Sequence, residues 1–185
     1  MDKPDFAGLL TDSSRSLADY AASVVGNDPD LFARLMEIAW LQKPQLSMRA
    51  ARVADIACEH NPDLVRPHLL AIVKGLPDLR EMAVKRVFMH ILTRHSWVDD
   101  EEAMGCLVDA LLRWLMDDAQ SIAVKNYSLM ILENIAALLP DLKVEIAAIV
   151  EESIPFWDSG AMQSAGRRTL RRLKGSSANR KNHKT

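Results

Sequence analysis

The sequence predicts an all-α fold in which helices are stacked in successive pairs. Apolar residues recur at helical spacing in nine segments of the 185-residue chain. No segment alternates apolar and polar residues over the length of a strand, so no β-sheet is expected. Related stretches recur along the chain at intervals of 34 to 41 residues, and two helices per interval are typical of an α-solenoid. We therefore expect about four helical pairs behind one additional N-terminal helix.

The predicted helices are bounded by recognisable start and stop signals. Asn27-Asp28-Pro29 and Asn61-Pro62 place a capping side chain directly before proline, which is typical of a first helical turn. Pro67 is expected to break the fourth helix into a short turn and a main segment. Acids near the later helix starts can accept hydrogen bonds from unpaired backbone amides; they are Asp78, Asp99, Asp118, Asp141 and Asp158. The predicted helices cover residues 13–25, 29–41, 44–60, 62–74, 79–95, 99–116, 120–139, 142–153 and 160–174.

Four segments align with one another and indicate a repeated helix. Residues 82–92 and 122–132 align at an offset of 40, with Ala, Val, Lys, Ile and Leu at matching positions. An offset of 34 brings residues 50–58 onto the first of these segments, and an offset of 41 carries the second onto the residues around Leu170. The aligned helices therefore occupy one structural role, and the helices between them occupy another.

The repeated helices carry a pattern that resembles a known family. The pattern Asp-x5-Val-Lys begins at Asp78 and at Asp118. It resembles the second helix of HEAT repeats, in which Asp is followed by Val-Arg or Val-Lys. The pattern is looser in the first copy, where Pro44 replaces Asp, and in the last, where Ala165-Gly166 replaces Val-Lys. The resemblance covers residues 29–174, extends to small bacterial HEAT-like proteins, and implies a right-handed α-α superhelix.

This resemblance sets the expected domain organisation. Residues 1–28 are expected to form an N-terminal capping helix, and residues 29–174 the repeat domain. Residues 175–185 are polar and basic, so we expect a disordered tail there. The motif lysines Lys85 and Lys125 are expected to pair with helix-start acids of neighbouring repeats.

A polar stripe along each repeated helix marks the expected binding surface. Arg86, His90 and Arg94 recur every fourth residue and therefore share one helix face. The resemblance to HEAT arrays implies that such stripes line a concave ridge four helices wide, although an ordinary solvated helix shows the same pattern. Apolar members of the stripes suggest a spot for a peptide side chain. The candidate ridge consists of Arg52, Ile56, Glu59, His60, Arg86, His90, Arg94, Asn126, Met130, Glu133, Arg167 and Arg171.

The last predicted helix concentrates positive charge. Residues 159–185 carry eight basic residues and no acid, whereas residues 1–158 carry 15 basic and 25 acidic residues, a net charge of −10. Adjacent cations repel one another unless an acidic group lies opposite. Nucleic-acid phosphate, an acidic protein and the chain's own body are the candidates, and the helix dipole also favours basic residues there. The candidate polyanion-binding residues are Arg167, Arg168, Arg171, Arg172 and Lys174.

No catalytic, cofactor-binding or metal-binding pattern is found in the sequence. Its five histidines and two cysteines lack metal-ligand spacing, and neither a Gly-rich phosphate loop nor Gly-x-Ser-x-Gly occurs. Cys58 and Cys106 are expected in the core of a protein from the reducing cytoplasm. The longest apolar runs are too short to span a membrane.

Three functions follow as alternatives. The sequence favours a non-enzymatic scaffold, needing no cofactor, that binds a protein or peptide along the ridge. A nucleic-acid-binding protein that uses the basic helix is the second; it would resemble the HEAT-like alkylpurine DNA glycosylases. An enzyme such as adenylosuccinate lyase is the third, but the Ser-Ser-x-Met-Pro-x-Lys-x-Asn loop of that family is absent.

Overall fold

The computed structural model describes residues 5–97 and 99–175 of the chain. Every regular element in these residues is helical, which confirms the all-α prediction. Its internal contacts divide the chain into two compact units, Met1–His95 and Ser96–Thr185. The predicted tail, apart from Gly175, lies outside the described residues. Over the described parts of the chain, no helix combines the length and apolar character needed to cross a membrane.

The described part of the first unit contains six α-helices. They are α1 (Phe6–Leu9), α2 (Arg15–Val25), α3 (Pro29–Trp40), α4 (Leu46–His60), α5 (Leu69–Gly75) and α6 (Met82–Arg94). Two 3-10 turns, Pro62–Leu64 and Arg66–His68, precede α5. Pro67 therefore interrupts the fourth predicted helix as expected. The four-residue α1 escaped prediction because so short a helix leaves no periodic pattern.

Three helices of the first unit, α2, α3 and α6, begin at a residue whose side chain caps the helix. The hydroxyl of Ser14 accepts a hydrogen bond from the Leu17 amide, and the carboxylate of Asp28 accepts from Asp30 and Leu31. At the start of α6, however, the capping carboxylate belongs to Glu81 rather than to the predicted Asp78. An N-cap side chain reaches only two or three residues ahead, and Asp78 stands too early in the chain for that role.

Helix α4 is the centre of the first unit. It packs against α2, α3 and α6, and eight of its fifteen residues are buried. The Trp40 ring of α3 stacks at a tilt on Phe88 of α6, with ring centroids 4.8 Å apart. Gly75 lies against the same Trp40 ring, where a Cβ atom would come within 2.7 Å of it. Large apolar contacts between helices therefore hold this unit together.

The described part of the second unit contains four α-helices. They are α7 (Glu101–Met116), α8 (Ile122–Leu138), α9 (Lys143–Ser153) and α10 (Gly160–Gly175). Helix α8 packs against α7 and α10, and α10 packs against α9. The caps of α7 and α8 are Asp100 and Ser121, one and three residues after the acids predicted there. In chain order, α3/α4, α5/α6, α7/α8 and α9/α10 correspond to the four expected helical pairs.

Trp157 connects the end of α7 to α10. Its indole is buried, and Nε1 donates a hydrogen bond of 2.8 Å to the Leu115 carbonyl. Its own carbonyl accepts from the Gln163 side chain at 2.8 Å. Helix α10 approaches this ring through Gly166, where a Cβ atom would meet Trp157 Cζ3 at 2.5 Å and Ile154 Cγ1 at 2.8 Å. Glycine is therefore required at position 166 for close packing.

Two helical glycines provide a test of this packing. Gly166→Ala is expected to destabilise the protein by about 1–3 kcal/mol, because the added methyl group overpacks the Trp157 contact. Gly105→Ala, in α7 with nothing within 4 Å of the added Cβ, is expected to stabilise it by about 0.5–1 kcal/mol through helix propensity. Urea unfolding of both variants measures the difference. Equal stability changes in the two would contradict the packing described.

Candidate functional site

The exposed side of α4 and α6 carries an ordered network of charged groups. The carboxylate of Asp55 in α4 accepts a hydrogen bond from Nδ1 of His90, with a distance of 2.9 Å between Oδ2 and Nδ1. The same carboxylate pairs with the guanidinium of Arg94. The same guanidinium reaches Glu59 at 2.7 Å. Arg94 thus bridges two carboxylates on the neighbouring helix, and this network brings together three of the predicted ridge residues, Glu59, His90 and Arg94.

Three other predicted ridge residues lie on the same two helices, and their side chains differ in their contacts. Arg52 donates to the Ser13 carbonyl at 2.8 Å, which connects α4 to the segment before α2. His60 and Arg86 are exposed. We name this surface the first face; it consists of Arg52, Asp55, Glu59, His60, Arg86, His90 and Arg94.

The prediction that Ile56 lies on the ridge is wrong, and the adjacent residue Asp55 occupies that position. Ile56 is only 4% exposed and belongs to the core of the first unit. Consecutive residues lie about 100° apart around a helix, so the carboxylate of Asp55, rather than Ile56, turns toward His90. Asp55 was missed because the offset of 34 set His90 against Ile56. The spacing of Arg52, Asp55 and Glu59 along one face could have identified it.

The second unit presents part of its predicted ridge on α8. Met130 is 41% exposed, and the Asn126 amide approaches its sulfur at 3.9 Å. Glu133 instead faces α10, where it accepts from the Thr169 hydroxyl at 3.3 Å and pairs with Arg172 at 3.1 Å. We name Asn126 and Met130 the second face. That the two faces join into one ridge stays a prediction.

Helix α10 has the predicted division into a buried and a cationic side. Its buried residues are Met162, Ala165, Gly166, Thr169, Leu170 and Leu173. Arg172 pairs with Glu133, and Lys174 pairs with Glu151 at 2.7 Å. Arg167, Arg168 and Arg171 are exposed, and none of the three has an ion pair within the described residues. We name these three residues the cationic face.

The two motif lysines are buried beside acids of their own repeat. Lys125 Nζ lies 3.7 Å from Asp118. Burial lowers the pKa of Lys85, and the charge of Asp78 opposes that shift. The expected pairing with a neighbouring repeat is therefore wrong for Lys125: the acid lies seven residues earlier, in the turn that leads into the same helix.

The two cysteines occupy different environments. Cys58 lies in the core on α4, where burial, and then the negative charge of Asp55, raises the pKa of its thiol to about 12. Cys106 is exposed on α7, which corrects the prediction that both are core residues. Cys106 lies between the exposed positions Glu102 and Asp109, on the outer side of its helix.

Metal-ligating side chains and a surface cleft are two further features that bear on possible chemistry. No group of three possible metal ligands occurs within residues 5–97 and 99–175. A shallow cleft of about 480 Å³ lies before α6 and is lined by Gln42, Asp78, Arg80 and Glu81. Within its lining, the Gln42 side chain accepts a hydrogen bond of 2.9 Å from the Arg80 backbone amide.

Comparison with known proteins yields one match. A family model described as a HEAT repeat domain matches residues 8–173. Neither a curated protein nor a solved structure matches the chain.

The Asp55 network is expected to contribute to the free energy of unfolding. The Asp55 side chain is 15% exposed and pairs with both His90 and Arg94. The Glu59 side chain is 44% exposed and, among the described residues, pairs with Arg94 alone. Asp55→Ala is expected to cost about 2 kcal/mol, because it removes two charge-assisted contacts from a mostly buried carboxylate. Glu59→Ala is expected to cost under about 1 kcal/mol. Urea unfolding compares them, and a larger effect at Glu59 would contradict the network.

Thiol labelling tests the two cysteine environments. Ellman's reagent is expected to modify one thiol per native chain, at Cys106, because Cys58 is buried and stays protonated at pH 8. Both thiols should react in denaturant. Cys106→Ser should abolish native labelling and Cys58→Ser should leave it unchanged; native labelling of the Cys106→Ser variant would show that the core around Cys58 is open.

Proposed function

Since the chain belongs to the family of HEAT repeat domains, we propose that it is a non-enzymatic scaffold that binds a protein or peptide through its second helices. The observation that carries this proposal is the first face. There, charged side chains of two adjacent helices are fixed by ion pairs and still reach solvent. HEAT repeats generally mediate protein interactions.

Preorganisation supports a binding role for the first face. Arg94 is held between Asp55 and Glu59, so little side-chain entropy remains to be lost when a partner docks. His90 is held by the same carboxylate. A partner therefore meets these paired donors and acceptors in positions that are already fixed.

The mixed charge of the first face indicates the kind of partner. Arg52, Arg86 and Arg94 alternate with Asp55 and Glu59, so the surface suits a polypeptide with both acidic and basic side chains. A dedicated phosphate-binding track would carry one sign of charge. This composition favours a protein or peptide over a nucleic acid at this face.

Met130 gives the second face an exposed apolar side chain. Methionine is flexible and polarisable, and exposed methionines are common at surfaces that accept varied apolar side chains. The Asn126 amide beside it can bond a peptide backbone. The second face therefore suits an apolar anchor residue of a bound peptide.

Substitution of the two faces tests the proposal. The tagged wild type and the triple variant Arg86→Ala, His90→Ala and Met130→Ala are used to capture proteins from the native source, with quantitative mass spectrometry as readout. The variant is expected to lose at least one reproducible partner by tenfold or more, because it removes exposed groups from both faces. Thermal unfolding verifies that the variant is folded.

A matched control separates these faces from general surface effects. The triple variant Glu37→Ala, Asp109→Ala and Val144→Ala changes two polar residues and one apolar residue, all exposed on first helices. It is expected to retain the partner within twofold. Equal loss in both variants, or undiminished capture by the face variant, would refute the proposal.

A further inference from the structure

The cationic face of α10 is an unneutralised cluster of arginines. Arg172 and Lys174 pair with carboxylates of α8 and α9. Arg167, Arg168 and Arg171 point to solvent and have no ion pair in the part of the chain that the structure describes. The second unit's own acids therefore account for two of the five cations and leave three.

No acid within the same stretch of sequence balances these three arginines. Asp158 is the last acidic residue of the chain, and every later charged residue is basic. The chain beyond α10 adds Arg180, Lys181 and Lys184. Repulsion among neighbouring arginines costs free energy, which an anionic partner recovers.

The spacing of the three arginines suits a regular row of phosphates. Arg167 and Arg171 stand one turn apart on the same side of α10, with a rise of about 6 Å between them. One strand of DNA carries a phosphate every 3.4 Å or so along its axis, so this rise spans about two phosphates. Arg168 lies about 100° around the helix from Arg167 and widens the cationic face.

The residues around the cationic face favour phosphate over a protein partner. No large apolar side chain of α10 is exposed, whereas protein interfaces need apolar anchors at their centre. Ser164, one turn before Arg168, is exposed and adds a hydroxyl. Guanidinium forks and hydroxyls are the groups that contact phosphate oxygens.

From these observations we propose that Arg167, Arg168 and Arg171 form a site for the phosphate backbone of nucleic acid. The site is assigned to the sugar-phosphate backbone, which is the same for every base sequence. It lies on α10, whereas the first face lies on α4 and α6, so either proposal can fail without the other. Binding depends on charge, and the acidic remainder of the chain keeps it weak and salt-sensitive.

Salt-dependent binding tests the site with the full-length chain. A fluorescein-labelled 20-base-pair duplex of random sequence is titrated by anisotropy between 20 and 200 mM NaCl. The triple variant Arg167→Gln, Arg168→Gln and Arg171→Gln is expected to bind at least tenfold more weakly at 50 mM salt. Its plot of log K against log salt should be shallower by about 2.7, since each phosphate contact contributes about 0.9.

Three comparisons assign the binding to this face. The control variant Arg15→Gln, Arg80→Gln and Arg113→Gln makes the same change in net charge at exposed positions outside α10 and should bind as the wild type does. Replacing the three face arginines by lysine should restore most of the affinity. The variant Arg180→Gln, Lys181→Gln and Lys184→Gln should keep the part of the salt slope that belongs to the cationic face.

Several outcomes would overturn the proposal. One is a failure of the wild type to bind the duplex at 20 mM salt. Another is a loss of affinity in the control variant as large as that in the face variant. Full retention of the slope in the face variant would assign binding to the residues beyond α10. Tighter binding of a polyglutamate peptide than of the duplex would identify an acidic protein as the ligand.

Discussion

The spacing between successive helical pairs is the constraint on which the rest of the structure depends. Long-range hydrogen bonds repeatedly join residues that are one repeat apart. Arg94 meets Asp55 and Arg172 meets Glu133, in each case 39 residues along the chain, and the Trp157 indole meets the Leu115 carbonyl 42 residues away. Each second helix therefore lies beside the second helix before it in the same unit. This arrangement buries most sides of α6 and leaves one narrow face to solvent.

The same spacing determines which charges remain available to a partner. On α4 the acids Asp55 and Glu59 meet Arg94, so the first face is ordered and nearly neutral. On α8 a single acid, Glu133, meets α10, and it engages Arg172 and Thr169. Arg167, Arg168 and Arg171 have no ion pair with any carboxylate in residues 5–97 and 99–175. One repeated geometry thus produces an internally paired surface in one unit and an unpaired cationic surface in the other, because the number of acids on the preceding helix differs.

Much of the fold follows from local sequence signals. The positions of the helices could be predicted to within a few residues from helical periodicity and from two proline signals, Asp28 before Pro29 and Pro67. These signals are reliable because each acts on the backbone next to it. The caps of the later helices were less accessible. Several polar residues precede α6, α7 and α8, and only the backbone conformation decides which of them reaches an amide two or three residues ahead. The buried side of α10 was predictable in full, since its apolar residues follow the helical period without interruption.

The candidate site was predictable as a face but not as a set of partners. Helical periodicity placed His90 and Arg94 on one side of α6, yet it could not decide whether Asp55 or Ile56 meets them, because a shift of one residue turns a side chain by about 100°. Nor could it foresee that Glu133 and Glu151 neutralise two cations of α10, since these acids lie on two other helices, 39 and 23 residues away. A charge count from sequence therefore overstates the free charge of α10. Three arginines of α10, at positions 167, 168 and 171, keep an exposed guanidinium with no ion pair among the described residues.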